Sequence, residues 1–193
     1  NLCQGLVDEG RDSPDIRGIL GGYLFWKAQS LGALRFALGG DTRDRGLEWT
    51  RSAVASAGPL QEVYRTSLMW IRFERKEFAQ GLALARAGSA ALPGNRIYRQ
   101  AEGDMLFRLG RLQEALDTYR TSWTEYAGVE RIPANRLAAA GNLARIHFSM
   151  GHADSTRAWL DTIDAPRYLA VRKWLPPSLV RELEPVRKRL GHR

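Results

Sequence analysis

The sequence predicts an all-α protein built from antiparallel helix pairs. Apolar residues recur at helical spacing along nearly the whole chain, and no convincing strand interrupts them. Short breaks rich in Gly, Pro and Asp punctuate that periodicity. A register of 34 residues then superposes one stretch on the next: Phe78 on Leu112, Gly81 on Ala115, Ala85 on Tyr119 and Gly88 on Ser122. Upstream, Leu68 falls on Glu102, Met69 on Gly103 and Phe73 on Phe107 at the same offset.

Taken in order, the breaks predict helices near 15–38, 43–57, 60–75, 78–91, 95–109, 112–127, 134–150, 153–163, 166–174 and 177–190. Pro59 and Pro177 suit first-turn positions, where a missing N–H costs nothing. Gly58, Gly110 and Gly151 suit left-handed helix ends. Pro185 is expected to interrupt the last helix about a turn before its basic end. The stretch 18–38 is the strongest membrane-span candidate, but Lys27, Gln29 and Arg35 break it, so it reads as a buried helix.

A chain of 193 residues suffices for one domain, 1–193, with a sizeable core. The one cysteine, Cys3, can form neither an internal disulfide nor a multi-thiolate metal site. No signal peptide is visible, and with Asn1 rather than methionine in first place that absence decides nothing. Of the net charge of +8, the segment Ala165 to Arg193 carries +6. The rest is close to neutral and the C-terminal end is a basic patch, with Arg172, Lys173, Arg187, Lys188 and Arg189 as its candidate residues.

In the "AEGDMLFRLGRLQEALDTYR" stretch, Gly103, Leu106, Gly110, Leu112, Ala115 and Tyr119 fall at the small, large and turn positions of a helical repeat. Residues 96–129 on these grounds resemble a tetratricopeptide repeat, and 62–95, closing with Pro93, resembles a second. A weaker copy, 137–168, places Leu143, Ala144, His147 and Leu160 around the turn glycine Gly151, and starts late enough to predict lengthened helices or a bulky loop before it. Residues 15–57 read as a divergent first pair and 169–193 as a basic capping helix. Residues 15–163 are similar to bacterial tetratricopeptide proteins of no assigned function. That resemblance implies a right-handed α-solenoid of three to four helix pairs.

It also implies a concave groove lined by the first helix of each repeat. The matching positions hold Val63, Thr66, Trp70, Phe73 and Glu74, then Ile97, Gln100, Asp104, Phe107 and Arg108, then Ala138, Gly141, Arg145, Phe148 and Ser149. Of these, Thr66, Trp70, Phe73, Gln100, Asp104, Arg108 and Arg145 are the candidate partner-binding residues. The Lys and Asn pattern with which chaperone adaptors clamp a terminal carboxylate is absent, since Thr66, Gln100, Trp70 and Asp104 stand there.

No catalytic constellation emerges. There is no His-Glu-x-x-His, no cysteine pair, no acidic calcium loop, no nucleophile elbow and no phosphate loop. His147 and His152 lie about 500° apart by helix geometry, so they are not expected to share a face. Asp41 with Asp44 and Glu74 with Glu77 read as solvated surface, and Trp26, Trp49 and Trp70 as core. The expectation is a non-catalytic scaffold or adaptor, without metal or cofactor, that takes a peptide or helix of another protein. The alternative is an anionic-surface binder acting through the basic end, at lipid headgroups or nucleic acid, the latter less favoured because no aromatic-basic interleaving is visible.

Overall fold

The computed structural model describes residues 5, 9, 13–36, 40–56, 58–128 and 133–192. Cys3 and Arg193 lie outside them. Among the described residues the chain is all-helical, with no strand. The helices are α1 (Pro14–Leu31), α2 (Arg43–Ala55), α3 (Gln61–Glu74), α4 (Phe78–Ala91), α5 (Arg96–Arg108), α6 (Leu112–Glu125), α7 (Pro133–Ser149), α8 (Ala153–Asp164) and α9 (Pro177–Leu190). The residues form two compact units, Asn1–Tyr98 and Arg99–Arg193, whose division falls within α5; α1 to α4 pack each on the next in the first, and α7 packs on α6, α8 and α9 in the second.

One turn geometry joins three of the helix pairs. Between α3 and α4, Lys76 takes a left-handed φ of 61°. Its N–H donates to Phe73 O (2.9 Å), while that of Glu77 reaches back to Arg72 O (2.9 Å). Between α5 and α6, Gly110 and Arg111 donate to Phe107 O and Leu106 O in the same pattern, and between α7 and α8, Gly151 and His152 donate to Phe148 O and His147 O. These bonds satisfy the orphan carbonyls of the first helix in each pair. Five residues past each left-handed position comes a buried small residue (Gly81, Ala115, Thr156), and nine past it a fully buried one (Ala85, Tyr119, Leu160). The repeat read from the sequence is therefore a repeat of backbone turns as well as of side-chain sizes.

Glycines set the closest helix approaches in the first unit. A Cβ on Gly46 of α2 would stand 2.6 Å from Gly21 O of α1, and one on Gly21 would stand 2.8 Å from Gly46 O, so the two backbones are in direct contact. Gly18 leaves its space to the ring of Tyr64, and Gly88 leaves its space to Tyr98. Each of these tyrosines then ends on a carboxylate. Tyr64 donates to Asp15 Oδ1 (3.0 Å) and Tyr98 to Glu62 Oε2 (2.9 Å). Burial, with Asp15 as second cause, pushes the Tyr64 phenol up to about 12. The second unit repeats the device where Gly103 accommodates Tyr119.

The second unit is organised around α7. Ten of its seventeen residues are buried, because α6, α8 and α9 pack around it. Leu137, Ala140 and Ala144 meet Leu160 and Ile163 of α8 and Leu179, Leu183 and Val186 of α9 in one apolar cluster. Trp123 and Trp159 meet edge to face beside it, 5.2 Å between ring centres.

Several expectations are corrected. The first helix stops at Leu31, where Gly32 takes a positive φ and a 3₁₀ turn follows. It buries one face only, for Ile19, Tyr23 and Trp26 lie on the other, and Trp49 and Trp70 are half-buried rather than core. Pro59 precedes α3 by a turn instead of opening it, and α2 ends at Ser56 in extended backbone, ahead of Gly58. No α-helix spans 166–174. Extended Ala165 before Pro166 and extended Leu175 before Pro176 bound two short 3₁₀ turns there. α9 runs through Pro185 to Leu190, its two halves held by buried Leu183 and Val186 while Pro185 stays exposed. The late start of the third copy corresponds to the long α7, and residues 129–132 before it lie outside the description.

Candidate functional site

The most developed site lies in the second unit, where α5, α7 and α9 meet. The hairpin turn at Gly110 fixes the end of α5 and the turn at Gly151 fixes the end of α7, so Phe107 and Arg108 face Arg145, Phe148 and Ser149. Leu179, Leu183 and Val186 bury one stripe of α9 against α7, which turns Arg181, Glu182 and Arg189 toward the same space. Together they line a cavity of about 520 Å³ open to solvent.

Arg145 is its buried charge, 6% exposed. Its guanidinium lies over the Phe107 ring, 4.2 Å from the ring centre. One arm donates to Asp104 Oδ1 (2.7 Å) and the other pairs with Glu182. Asp104 also accepts the Tyr119 hydroxyl (2.8 Å), and Glu182 also accepts from Arg108 Nη2 (2.6 Å). Burial opposes the Arg145 charge, but Tyr119, Asp104 and Glu182 around it outweigh that cost and hold it protonated. Burial would likewise lift the Glu182 carboxyl, and the Arg145 and Arg108 guanidiniums override it and hold the group below the usual range. Tyr119 is pushed well above the ordinary phenol value by burial first and by the neighbouring Asp104 second.

Five of the residues expected to line a groove thus meet around one cavity, Phe107, Arg108, Arg145, Phe148 and Ser149, and Asp104 stands behind Arg145. Gly141 is covered instead, for Leu179 of α9 lies 2.8 Å from where its Cβ would stand. Gln100 is exposed on α5. The other three candidates are in the first unit. Thr66 Oγ1 donates to Glu62 O (2.9 Å) and lies 3.0 Å from the Tyr98 hydroxyl. Trp70, Phe73 and Phe78 form an edge-to-face ladder with ring centres 5.7 and 5.5 Å apart.

The basic residues at the end do not form a single face. Arg172 and Arg187 both converge on Asp164, which His192 also reaches at 3.0 Å. Burial alone would raise the Asp164 carboxyl, but Arg187, His192 and Arg172 bring it below its ordinary value. Lys173 lies over Trp174 and Arg189 beside Phe148, while Lys188 is exposed.

The two histidines are a correction. Their Nδ1 atoms are 3.3 Å apart, because α7 ends at Ser149 and the turn brings His152 back over His147. Burial, then Arg120 and His152, lower the His147 pKa. Of the paired carboxylates, Asp41, Asp44 and Glu77 take part in ion pairs, while Glu74 accepts from Gln29 Nε2 (3.2 Å) on the surface. Asp41 is held well below its ordinary range by Arg43, Asp44 meets Arg75, and Glu77 meets Arg72 and Arg75. Sequence reasoning missed Glu182, Arg181 and the Tyr119 hydroxyl as parts of the site. The available signal was the i, i+3, i+4, i+7 spacing of Leu179, Glu182, Leu183 and Val186, which sets Glu182 at the edge of the apolar stripe of α9. Compared with known proteins, the chain matches no family model, no curated protein and no solved structure.

Proposed function

We propose that this chain is a non-catalytic scaffold or adaptor of tetratricopeptide type, a right-handed solenoid that holds a peptide or helix of a partner protein within a larger bacterial assembly. The observation that carries the reading is the convergence of Phe107 and Arg108 from α5 with Arg145 and Phe148 from α7 on one cavity. The residues come from the first helices of two successive repeat-like pairs, as the resemblance implies. Aromatic side chains beside guanidiniums are groups that anchor protein interfaces. The recurring turn at Lys76, Gly110 and Gly151 supports the repeat reading.

The test is affinity purification from the native organism with mass spectrometry, comparing the natural chain with an Arg108→Ala/Phe148→Ala variant checked by circular dichroism. Specific loss of a partner from the folded variant supports the groove. A partner set identical for both chains refutes it.

A second reading is favoured by one observation. Trp174 and Leu169 are 68% and 60% exposed beside Lys173 and Arg167, a combination suited to the headgroup level of an anionic bilayer. Sedimentation with phosphatidylglycerol vesicles, but not phosphatidylcholine vesicles, and its loss in Trp174→Ala would favour it. No helix among the described residues is long and apolar enough to cross a membrane.

A further inference from the structure

We infer that the cavity between α5, α7 and α9 selects an acidic partner segment, one that places carboxylates on Arg181 and Arg189 and an apolar side chain between Phe107 and Phe148. The inference rests on the groove reading above and adds the chemistry of the ligand.

Glu182 shows what this corner of the protein binds. Its carboxylate is held from two sides, by Arg108 Nη2 at 2.6 Å and by the buried Arg145. Charge-assisted bonds of this kind are the strong ones, and guanidinium geometry matches a carboxylate. That internal pair does not use up the positive charge. Arg181 and Arg189 line the same cavity, and neither has a carboxylate partner among the described residues. Four guanidiniums therefore surround a space that holds only Glu182, with Asp104 behind Arg145. The apolar share of the wall comes from Phe107, Phe148, Pro185 and Val186. A cationic partner would meet repulsion, and a neutral apolar one would leave Arg181 and Arg189 without acceptors beneath it. An acidic segment with an aromatic or aliphatic side chain satisfies both halves of the wall.

This arrangement differs from a clamp for a chain terminus. The arginines outside the internal pair come from α9, and the occupied ones are already bridged by Glu182. Side-chain carboxylates along a segment, rather than a terminal carboxylate, fit a row formed by Arg181 and Arg189.

The test is fluorescence anisotropy of the full chain with a labelled peptide of Glu, Leu and Phe, beside the same peptide with Gln for every Glu. The Glu peptide is expected to bind at least about tenfold more tightly than the Gln peptide. Its affinity should fall as salt rises from about 50 to about 300 mM. Arg181→Glu/Arg189→Glu, two exposed positions, should abolish binding with the circular dichroism unchanged. Glu182→Gln should tighten binding by freeing Arg108. If that variant does not fold, the double reversal decides alone.

Equal affinity for the two peptides overturns the acidic preference and leaves the groove standing, as does an unchanged affinity in the double reversal. If neither peptide binds, or if oligodeoxythymidine displaces the Glu peptide at lower concentration, the inference falls. The purification experiment then judges the groove separately.

Discussion

Where α1 crosses α2, Gly21 and Gly46 bring two backbones into contact with no side chain between them; where α5, α7 and α9 meet, a buried guanidinium fills the space and two carboxylates answer it. The first contact is made by subtraction. Removing every side-chain atom lets main chains touch, and the attraction is dispersion and apolar burial, which neither salt nor pH alters much. The second is made by charge, and its stability depends on the protonation of Glu182 and on the fit of each hydrogen bond. One protein thus uses a shape-held region and a charge-held region, and the charge-held one carries the candidate site.

Perturbations separate the two kinds of contact. The largest effect is expected from Arg145→Met, which leaves Asp104 and Glu182 without their shared cation and costs about 3 kcal/mol in urea denaturation. A cost below that of an ordinary surface change would mean that the carboxylates reach water and the network is incidental. Next comes Gly46→Ala, whose new Cβ would stand 2.6 Å from Gly21 O. Forcing the helices apart should cost about 2 kcal/mol, with no dependence on salt. Tyr119→Phe removes a hydroxyl donated to Asp104 and should cost about 1 kcal/mol, close to the cost of Tyr64→Phe in the other unit.

Acid should discriminate between the regions more finely. Glu182 and Asp164 have folded pKa values below their ordinary ones, so their contribution is complete above the unfolded carboxylate range, near about pH 4.3, and is lost as pH falls through the folded values. His147 is also depressed, and acts with the same sign at higher pH. Its contribution is full above about 6.5 and declines below that as the unfolded chain takes the proton first. Melting temperatures measured between neutrality and pH 3 should fall in two steps, with His147→Gln removing the upper one. The smallest effect should be a gain. Lys76 holds a left-handed φ that glycine takes without strain, and Lys76→Gly should stabilise the chain by about 0.5 kcal/mol. A loss would show that the Lys76 side chain does more than tolerate its turn.

Most helices were legible because apolar residues recur at helical spacing and most breaks carry a Gly or Pro that ends them. Gly110 and Gly151 announced their turns; Lys76, 34 residues before Gly110, did not, because nothing in a lysine marks a left-handed φ. The site was half legible. Asp104, Phe107, Arg108, Arg145 and Phe148 followed from repeat position, since that position fixes which face of a helix a residue occupies. Glu182 did not follow, because its partners are 74 and 37 residues away and no local pattern encodes such a pairing. The histidine contact was misjudged for a related reason: helix arithmetic was carried beyond Ser149, where the helix had already ended. Pro185 marks a limit of local rules, for the buried neighbours on either side keep α9 continuous through it.

Glu182 has a kinetic and thermodynamic consequence beyond its bonds. A carboxylate fixed to α9 presents itself to Arg108 and Arg145 at the effective concentration of a tethered group, of order millimolar or above for short flexible links and greater for a rigid helix. Free glutamate, phosphate or chloride must compete against that standing occupancy one ion at a time. A ligand with several acidic groups can first settle on Arg181 and Arg189 and then compete from a tethered position of its own. For the acidic partner inferred above, the internal acid would then set a threshold that a multivalent chain crosses more readily than a single small anion.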